Sequence, residues 1–592
     1  MDPDSEDAIH HEREIRIICV GAGASGLCLA YKLQRSFRRF KLTVRTLYLP
    51  SYIRWRTLLT GVQIYEKNED VSGTWYENTY PGCACDIPAH NYVYTFEPKP
   101  DWPNVYASSR QLRQYFQEFC CKYDLIKYIK LRQKVLEARW AETERAWKLR
   151  VQDLTSGQCF DDTCDIFIYA CGYLNHWVWP KIIGLDKYQG DLVHSANWDS
   201  RVELRNKKIG LIGNGSSAVQ ILTQIQPEVA RLTHFIRSPL WIFPPIEGDQ
   251  RTYTPQEIET FTSDPRYLLS LRKRNEATAN SMFSLYLRNS VLQNQVRTLV
   301  TSNMKEDAGY AFPEGKLIPR YSVGCRRITP GPGYLKALTQ ENIDVVYQGV
   351  AALTREGCKL DNGQEKSLDV IICATGFDTS FRPRFPILGF DGKNLQDVWA
   401  GQPKSYLGIA AAGFPNLLML LGPYSPVANG PIMCAIEAQA DHILMLVDRY
   451  QTENIRSFCP KTVAVDDFAD HVQSFMQHTV WTEGCRSGFK NNTVSDRIPT
   501  LWPGSTLHCL EALRELRADD WDIRYHGNRF AWLGNGISQT EFDPTSDLGY
   551  SIRDHDDSAF SSRGLRREIL SRSGTQPARE LHRRHQPDVV KL

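Results

Sequence analysis

IRIICVGAGASG, residues 15–26, is followed at once by LCLAYKLQ. Apart from Arg16, residues 15–20 form an apolar run, which reads as a strand buried on both faces of a parallel sheet. Gly21, Gly23 and Gly26 then give the spacing G-x-G-x-x-G, and the stretch behind them reads as a helix. The first glycine of such a turn allows the tight backbone, the second lets a pyrophosphate approach, and the third lets helix and strand pack closely. Free N–H groups at the helix start add donors and a positive dipole end for phosphate oxygens. Strand, glycine turn and helix in this order predict an α/β unit that binds a dinucleotide.

The same unit calls for an acidic residue ending the second strand, about 20 residues further on, to accept the ribose hydroxyls. The candidate is Glu66 in VQIYEK, about twice that distance downstream. Between them lies RTLYLPSYIRWRTLLTG, rich in Arg, Leu and aromatics but without a clean period. Removing residues 45–63 would join FKLTV to IYEK and restore the ordinary spacing. The segment is either a surface excursion at the edge of the unit or an intron left in the reading frame. The second is preferred, because a long apolar and basic insert on the strand feeding a cofactor site is physically awkward, and Pro50 would interrupt any element there.

A second unit begins at KKIGLI, residues 207–212, followed by Gly213, Asn214, Gly215, Ser216, Ser217 and Ala218. Alanine replaces the third glycine, which the pattern tolerates because that position only needs to be small. The next strand, LTHFIRS, ends in Arg237 and Ser238 with no carboxylate at the ribose position. An arginine there accommodates a 2′-phosphate, so NADP is expected over NAD. Two dinucleotide units in one chain imply a flavin and a pyridine nucleotide, with electrons passing from NADPH to FAD.

Two further apolar strands end in small-residue turns, DIFIYACG (165–172) and DVIICATG (369–376), and they bracket the second unit. The fold expected is α/β, with two Rossmann-like dinucleotide-binding domains, the NADP domain inserted into a discontinuous FAD domain. The boundaries expected are 1–178 and 376–550 for the FAD domain, with 45–63 anomalous, and 179–375 for the NADP domain, carrying a helical insert over 253–320. Residues 551–592 are charged and poor in large apolar residues, and read as a disordered tail.

Composition narrows the class. With 592 residues, 42% apolar and 23% charged, the chain is globular and exceeds one ordinary domain. A net charge of +2 gives no electrostatic reason to expect nucleic acid as a partner. No apolar run approaches the roughly 20 residues of a spanning helix, and the acidic start MDPDSEDAIHHERE is unlike a signal peptide. The sixteen cysteines include Cys19, Cys171 and Cys373 at core positions, and none forms C-x-x-C, so neither a metal site nor a dithiol centre is expected. A reduced, cytoplasmic protein is the expectation.

Tyr188-Gln-Gly190-Asp-Leu-Val-His194-Ser-Ala-Asn-Trp198-Asp199 resembles the F-x-G-x-x-x-H-x-x-x-W-[PD] fingerprint of type I Baeyer–Villiger monooxygenases, with Tyr188 where Phe is usual. Gly73-Thr74-Trp75-Tyr76-Glu77 and Pro81-Gly82-Cys83-Ala84-Cys85-Asp86-Ile87, with Tyr92 at the family's offset, are similar to the segments that line FAD there. Gly324-Cys325-Arg326-Arg327 resembles the active-site basic pair. The resemblance covers residues 12–545 apart from the insert, and is strongest with fungal members, including those of aflatoxin-type polyketide biosynthesis. Gly488 in CRSGFKNN departs from the aromatic common in relatives, which points to a larger or looser substrate pocket.

The resemblance implies that FAD and NADPH serve to insert one oxygen atom of O2 beside a ketone carbonyl, giving an ester or lactone. The substrate it suggests is a small-molecule ketone such as an aromatic polyketide of fungal secondary metabolism. Negative charge develops on oxygen in such a reaction, so a fixed cation is required. Arg327 fits that role, because its charge is permanent. Asp86 would hold it in a planar fork, and Arg326 would reach the NADP phosphate or ribose. Without the resemblance, Arg326 and Arg327 read as a surface pair and Asp86 as a turn residue. The rival readings are a nitrogen- or sulfur-oxidising flavin monooxygenase, which needs no such cation, and a flavin-free product if segment 45–63 is retained.

Overall fold

Two five-stranded parallel sheets organise the computed structural model, which describes residues 8–37, 61–244, 250–308, 315–331, 333–495, 497–542 and 545–552. The first has the order Leu417–Met419, Ile166–Tyr169, Arg16–Val20, Gly61–Tyr65, Ile129–Lys130. Alternate residues of its central strand go to different cores. Ile17 and Cys19 join the cluster beneath helices Ala24–Ser36 and Ile432–Thr452, while Ile18 and Val20 join Tyr65, Trp147 and Phe167 on the other face. Covering both faces is what gives a parallel strand its nearly continuous apolar reading. Each fully buried Ile contributes on the order of 1.5–3 kcal/mol.

Strand Gly61–Tyr65 runs parallel to Arg16–Val20, with Gly61, Val62 and Gln63 opposite Arg16, Ile17 and Ile18. This corrects the expected limit of the anomalous insert, because residues 61–63 are the first half of the strand that ends beside Glu66. The rest of segment 45–63, and the tail from residue 553, lie outside the described residues.

The second sheet has the order Ile343–Val346, Arg231–Phe235, Lys208–Ile212, Val370–Cys373, Asp191–His194. All its strands fall between those of the first sheet in the chain, so the second unit is inserted into the first. The strand expected to end at Arg237 stops at Phe235, leaving Arg237 and Ser238 just beyond the sheet edge. Three helices, Pro255–Ser263, Pro265–Ser281 and Val291–Asp307, account for the helical reading of the middle of the chain. None of the described helices is long and apolar enough to cross a membrane. A separate small unit comprises residues 8–11 and 530–552, in which the His10 ring stacks on Trp532 at 4.7 Å.

The bracketing turns have a steric reason. A Cβ on Gly21 would stand 2.6 Å from the Ala170 carbonyl oxygen, and one on Gly213 2.2 Å from that of Ala374. Each glycine turn thus lies against the small-residue turn ending the adjacent strand, and both glycines take left-handed φ, +108° and +119°.

Candidate functional site

At the first turn, the Glu66 carboxylate is buried and accepts the N–H groups of Ala22 (2.8 Å) and Asn68 (2.9 Å). Burial raises its pKa, the two N–H donors lower it, and the net direction is upward. Glu77 is close enough to push it the same way, while its own carboxylate takes Asn68 Nδ2 (3.1 Å) and Lys67 (2.6 Å). Helix Thr74–Glu77 starts at Gly73, where an added Cβ would be 3.0 Å from Gly23 Cα, so it abuts the glycine turn. Trp75 packs edge-on against Tyr92 at 5.4 Å. Tyr76 is not brought into this group, since its hydroxyl donates to Glu69 and Arg113 covers its ring.

Residues 80–87 join the two nucleotide units. Gln220, on helix Ser216–Ile225, donates to the Ala84 carbonyl (2.9 Å) and accepts from the Tyr80 hydroxyl (2.9 Å), to which Ser217 Oγ also bonds (3.2 Å). Cys85 is buried, and burial pushes its thiol well above the ordinary range, so it is a packing residue. A cleft of about 790 Å³ at this junction is lined by Trp75, Cys83, Asp86, Arg110 and Gln220 among others.

Arg327 donates from Nε and Nη2 to both oxygens of Asp86 at 2.8–3.0 Å, across 241 positions of chain. Its Nη1 donates to the Val427 carbonyl at 3.3 Å. Asp86 and its fork hold the guanidinium charged, above the ordinary arginine range, despite burial. With the fork made, 47% of the Arg327 side-chain surface remains accessible, while Asp86 also lines the cleft between the two nucleotide units. Tyr173 and Tyr286 stand near enough for the Arg327 and Asp86 charges to act on their hydroxyls. Sequence reasoning missed both tyrosines and Val427; only Tyr173 had a signal, directly following the turn that ends in Gly172.

Around the second turn, the open side of Gly215 has nothing within 4 Å of a built Cβ. Asn214 donates to the Ser238 carbonyl (3.2 Å) and accepts from Tyr334 (2.9 Å), and Ser216 bonds Thr329 (3.1 Å). Ala218 packs in the core beneath. Arg326 Nη1 reaches Ser238 Oγ (3.2 Å) and the Pro239 carbonyl (3.3 Å), which sets it beside Arg237. The geometry therefore brings Asn214, Ser216, Arg237, Ser238 and Arg326 together. Two glycine cradles, one of them beside a buried carboxylate, suit two dinucleotides.

The fingerprint segment is structural. Tyr188 donates to the Leu368 carbonyl (3.0 Å), and a Cβ on Gly190 would strike the same ring. His194 is buried and stacks on Trp177 at 4.8 Å, and burial takes its pKa down to about 4. Its Nδ1 accepts the Ala196 N–H, so the neutral ring carries its proton on Nε2, toward Thr375 in the second bracketing turn.

One cysteine pair departs from the expectation of a fully reduced chain. Cys325 and Cys485, 160 residues apart, are joined by a disulfide with a Cα–Cα distance of 6.4 Å. Cys19 and Cys373 are buried thiols as expected, while Cys171 is half-buried.

The family model described as flavin-binding monooxygenase-like matches residues 65–258. FAD-binding monooxygenase tazF of Aspergillus terreus is 36% identical over 91% of this chain and 94% of its own length. FAD-binding monooxygenase stcW of Emericella nidulans is 35% identical over 90% of this chain and 86% of its own. A Baeyer–Villiger monooxygenase of Streptomyces coelicolor is 30% identical over 91% and 97%. Among solved structures, cyclohexanone monooxygenase of Rhodococcus sp. bound to NADP+ superposes with a TM-score of 0.72 at 23% identity, covering 86% of this chain and 99% of that one. The fold is therefore shared, and with 30–36% identity over about nine-tenths of its length the chain belongs to the FAD-binding monooxygenases of the Baeyer–Villiger type.

Proposed function

We propose that this protein uses FAD and NADPH to insert one oxygen atom of O2 beside the carbonyl of a small-molecule ketone. The observation that carries this reading is the forked Arg327–Asp86 pair, whose Asp86 lines the cleft between the two nucleotide units. A monooxygenase that oxidises nitrogen or sulfur gains nothing from a permanent cation at that place. Attack on a carbonyl places negative charge on oxygen, and a fixed guanidinium in a dry site stabilises it.

FAD supplies, when bound, the acceptance of two electrons from NADPH and the activation of O2. Residues 1–178 and 376–550 would hold it, with Gly21, Gly23 and Gly26 around the pyrophosphate and Glu66 on the ribose. Thr74, Trp75, Ala84, Ile87 and Tyr92 would enclose its ring. Residues 179–375 would hold NADPH, with the turn from Gly213 to Ala218 on the pyrophosphate, and with Arg237, Ser238 and Arg326 on the 2′-phosphate. Asp86 orients Arg327, and the surrounding tyrosines exclude water. The substrate class suggested by the fungal relatives is a polyketide ketone of secondary metabolism.

The test is product analysis under 18O2 with purified protein, NADPH and a panel of aromatic and alicyclic ketones, sulfides and amines. One 18O atom in an ester or lactone is the expected result. Sulfoxide or N-oxide formation with no ester from any ketone would overturn the carbonyl reading.

A further inference from the structure

We propose that the Cys325–Cys485 bond holds Arg486 beside Arg237 and Arg326, so that three guanidiniums form one site for the 2′-phosphate of NADPH. Arg486 is then a third binding residue and the disulfide is its positioning device. The inference rests on the NADPH reading above, and adds a residue and a covalent tie that neither glycine turn announces.

The chain order makes the tie direct. Cys325 immediately precedes Arg326, and Cys485 immediately precedes Arg486, so a bond at a Cα–Cα distance of 6.4 Å sets the two arginines on adjoining backbones. Arg326 is anchored at the edge of the second sheet by Ser238 and Pro239, next to Arg237. The other end is anchored too: Arg486 Nη1 donates to the Asn492 carbonyl at 2.8 Å, and Asn492 Nδ2 donates to the Phe377 carbonyl at 2.9 Å. Among the described residues, none of the three arginines forms an ion pair with a carboxylate. Burial first, then Arg486, then Arg326 pull the Arg237 pKa down, so both neighbouring guanidiniums act on Arg237. Such a grouping disfavours itself until an anion arrives, and a phosphate monoester, with two charges and three acceptor oxygens, suits several guanidiniums at once.

Other contacts hold the loop as well. Glu483 accepts from Ser322 N and Ser322 Oγ, both at 2.7 Å, which fixes the chain two residues before Cys485. Breaking the disulfide therefore leaves the loop attached through Glu483 and Asn492 and removes only the covalent tie between the backbones that carry Arg326 and Arg486. With a dithiol reductant the S–S bond accepts two electrons and two protons, giving two cysteine thiols while the reductant closes to its own disulfide. Both sulfurs belong to buried residues, so the Cys485→Ser variant stands beside chemical reduction as a second way to open the tie.

The experiment titrates the full-length flavin-loaded protein with adenosine 2′,5′-bisphosphate and with 5′-AMP by calorimetry, after non-reducing peptide mapping of the disulfide. Arg486→Ala, Cys485→Ser and dithiothreitol treatment are each expected to raise the Kd of the bisphosphate about tenfold and leave 5′-AMP binding unchanged. Arg486→Lys should recover part of the loss. A purely structural role would move both ligands together and would overturn the proposal, as would mapping that finds two free thiols. Bisphosphate binding that none of the three changes alters would overturn this inference alone. Equal affinity of the unaltered protein for bisphosphate and AMP would overturn the NADPH reading beneath it.

Discussion

A guanidinium held by both oxygens of one carboxylate cannot rotate away, and in Arg327 nearly half of the side-chain surface stays open beside that fork. A lysine could supply the charge but not the fork, and it could lose its proton in such a place. Arg327→Ala should lower ester formation by about 10²–10³-fold, the usual scale for removing one preorganised charge-stabilising donor. Reduction of bound flavin by NADPH should stay within a few-fold of normal, since none of the polar contacts of the second glycine turn involves the Arg327 side chain. Anaerobic bleaching of the flavin absorbance measures the first half-reaction and chromatography of the ester measures the second. Equal loss in both would show that Arg327 supports the fold instead. Arg327 and Asp86 were legible in the sequence only through family resemblance, because a doublet of arginines and one aspartate in a turn carry no local pattern. Their partnership spans 241 positions. Glu66, by contrast, was read as the acid ending a second apolar strand despite lying about twice the usual distance downstream, and its carboxylate accepts the Ala22 N–H of the glycine turn.

At the scale of elements, the molecule uses the same device twice. A glycine turn leaves a central strand and lies against the turn ending a neighbouring strand, Gly21 on Ala170 and Gly213 on Ala374. This explains why both sheets were readable: strand, glycine turn and helix are contiguous in the chain, and each A-x-G turn ends its own apolar run. The disulfide and Arg486 were not readable, because their partners come from a distant segment with no periodicity to mark it. The insert boundary failed for a related reason. Nothing local marks Gly61 as a strand start, and its pairing opposite Arg16 is what shows it. The duplication also makes the two sites separable. Gly213→Ala forces a Cβ to 2.2 Å from a backbone oxygen in a left-handed conformation, where nothing flexible can give way. NADP+ binding by that variant, measured by calorimetry, should weaken at least tenfold while the purified protein keeps its flavin absorbance. Loss of flavin together with NADP+ would mean that the second sheet does not fold apart from the first.

For the whole molecule, buried imidazoles link stability to pH. His90, His194 and His234 are each almost fully buried, and burial takes each pKa down to about 4 from the ordinary 6.5. They lie in different places: His90 against Phe261, His194 against Trp177 at the bracketing turn, and His234 on the second sheet against Tyr334. Below pH 6.5 the unfolded chain binds protons at these rings while the folded chain does not. Folding free energy is therefore lost as pH falls from 6.5 toward 4, at up to roughly 1.4 kcal/mol per pH unit for each ring. Buried carboxylates act the other way, since Glu66, Asp165, Glu276 and Glu437 have raised pKa values and take up protons in the folded state first. The total slope is a difference between opposing sets, so a single-site comparison is the decisive measurement. His194→Asn keeps an acceptor for the Ala196 N–H, gives up the Trp177 stack and removes one titrating ring. The variant should be less stable than the native chain at pH 7, with that deficit shrinking by about 2 kcal/mol between pH 6.5 and pH 5, read from urea midpoints. Parallel curves for the two proteins across that window would show that His194 is protonated in the folded chain, and with it that the ring does not donate from Nε2 alone to Thr375.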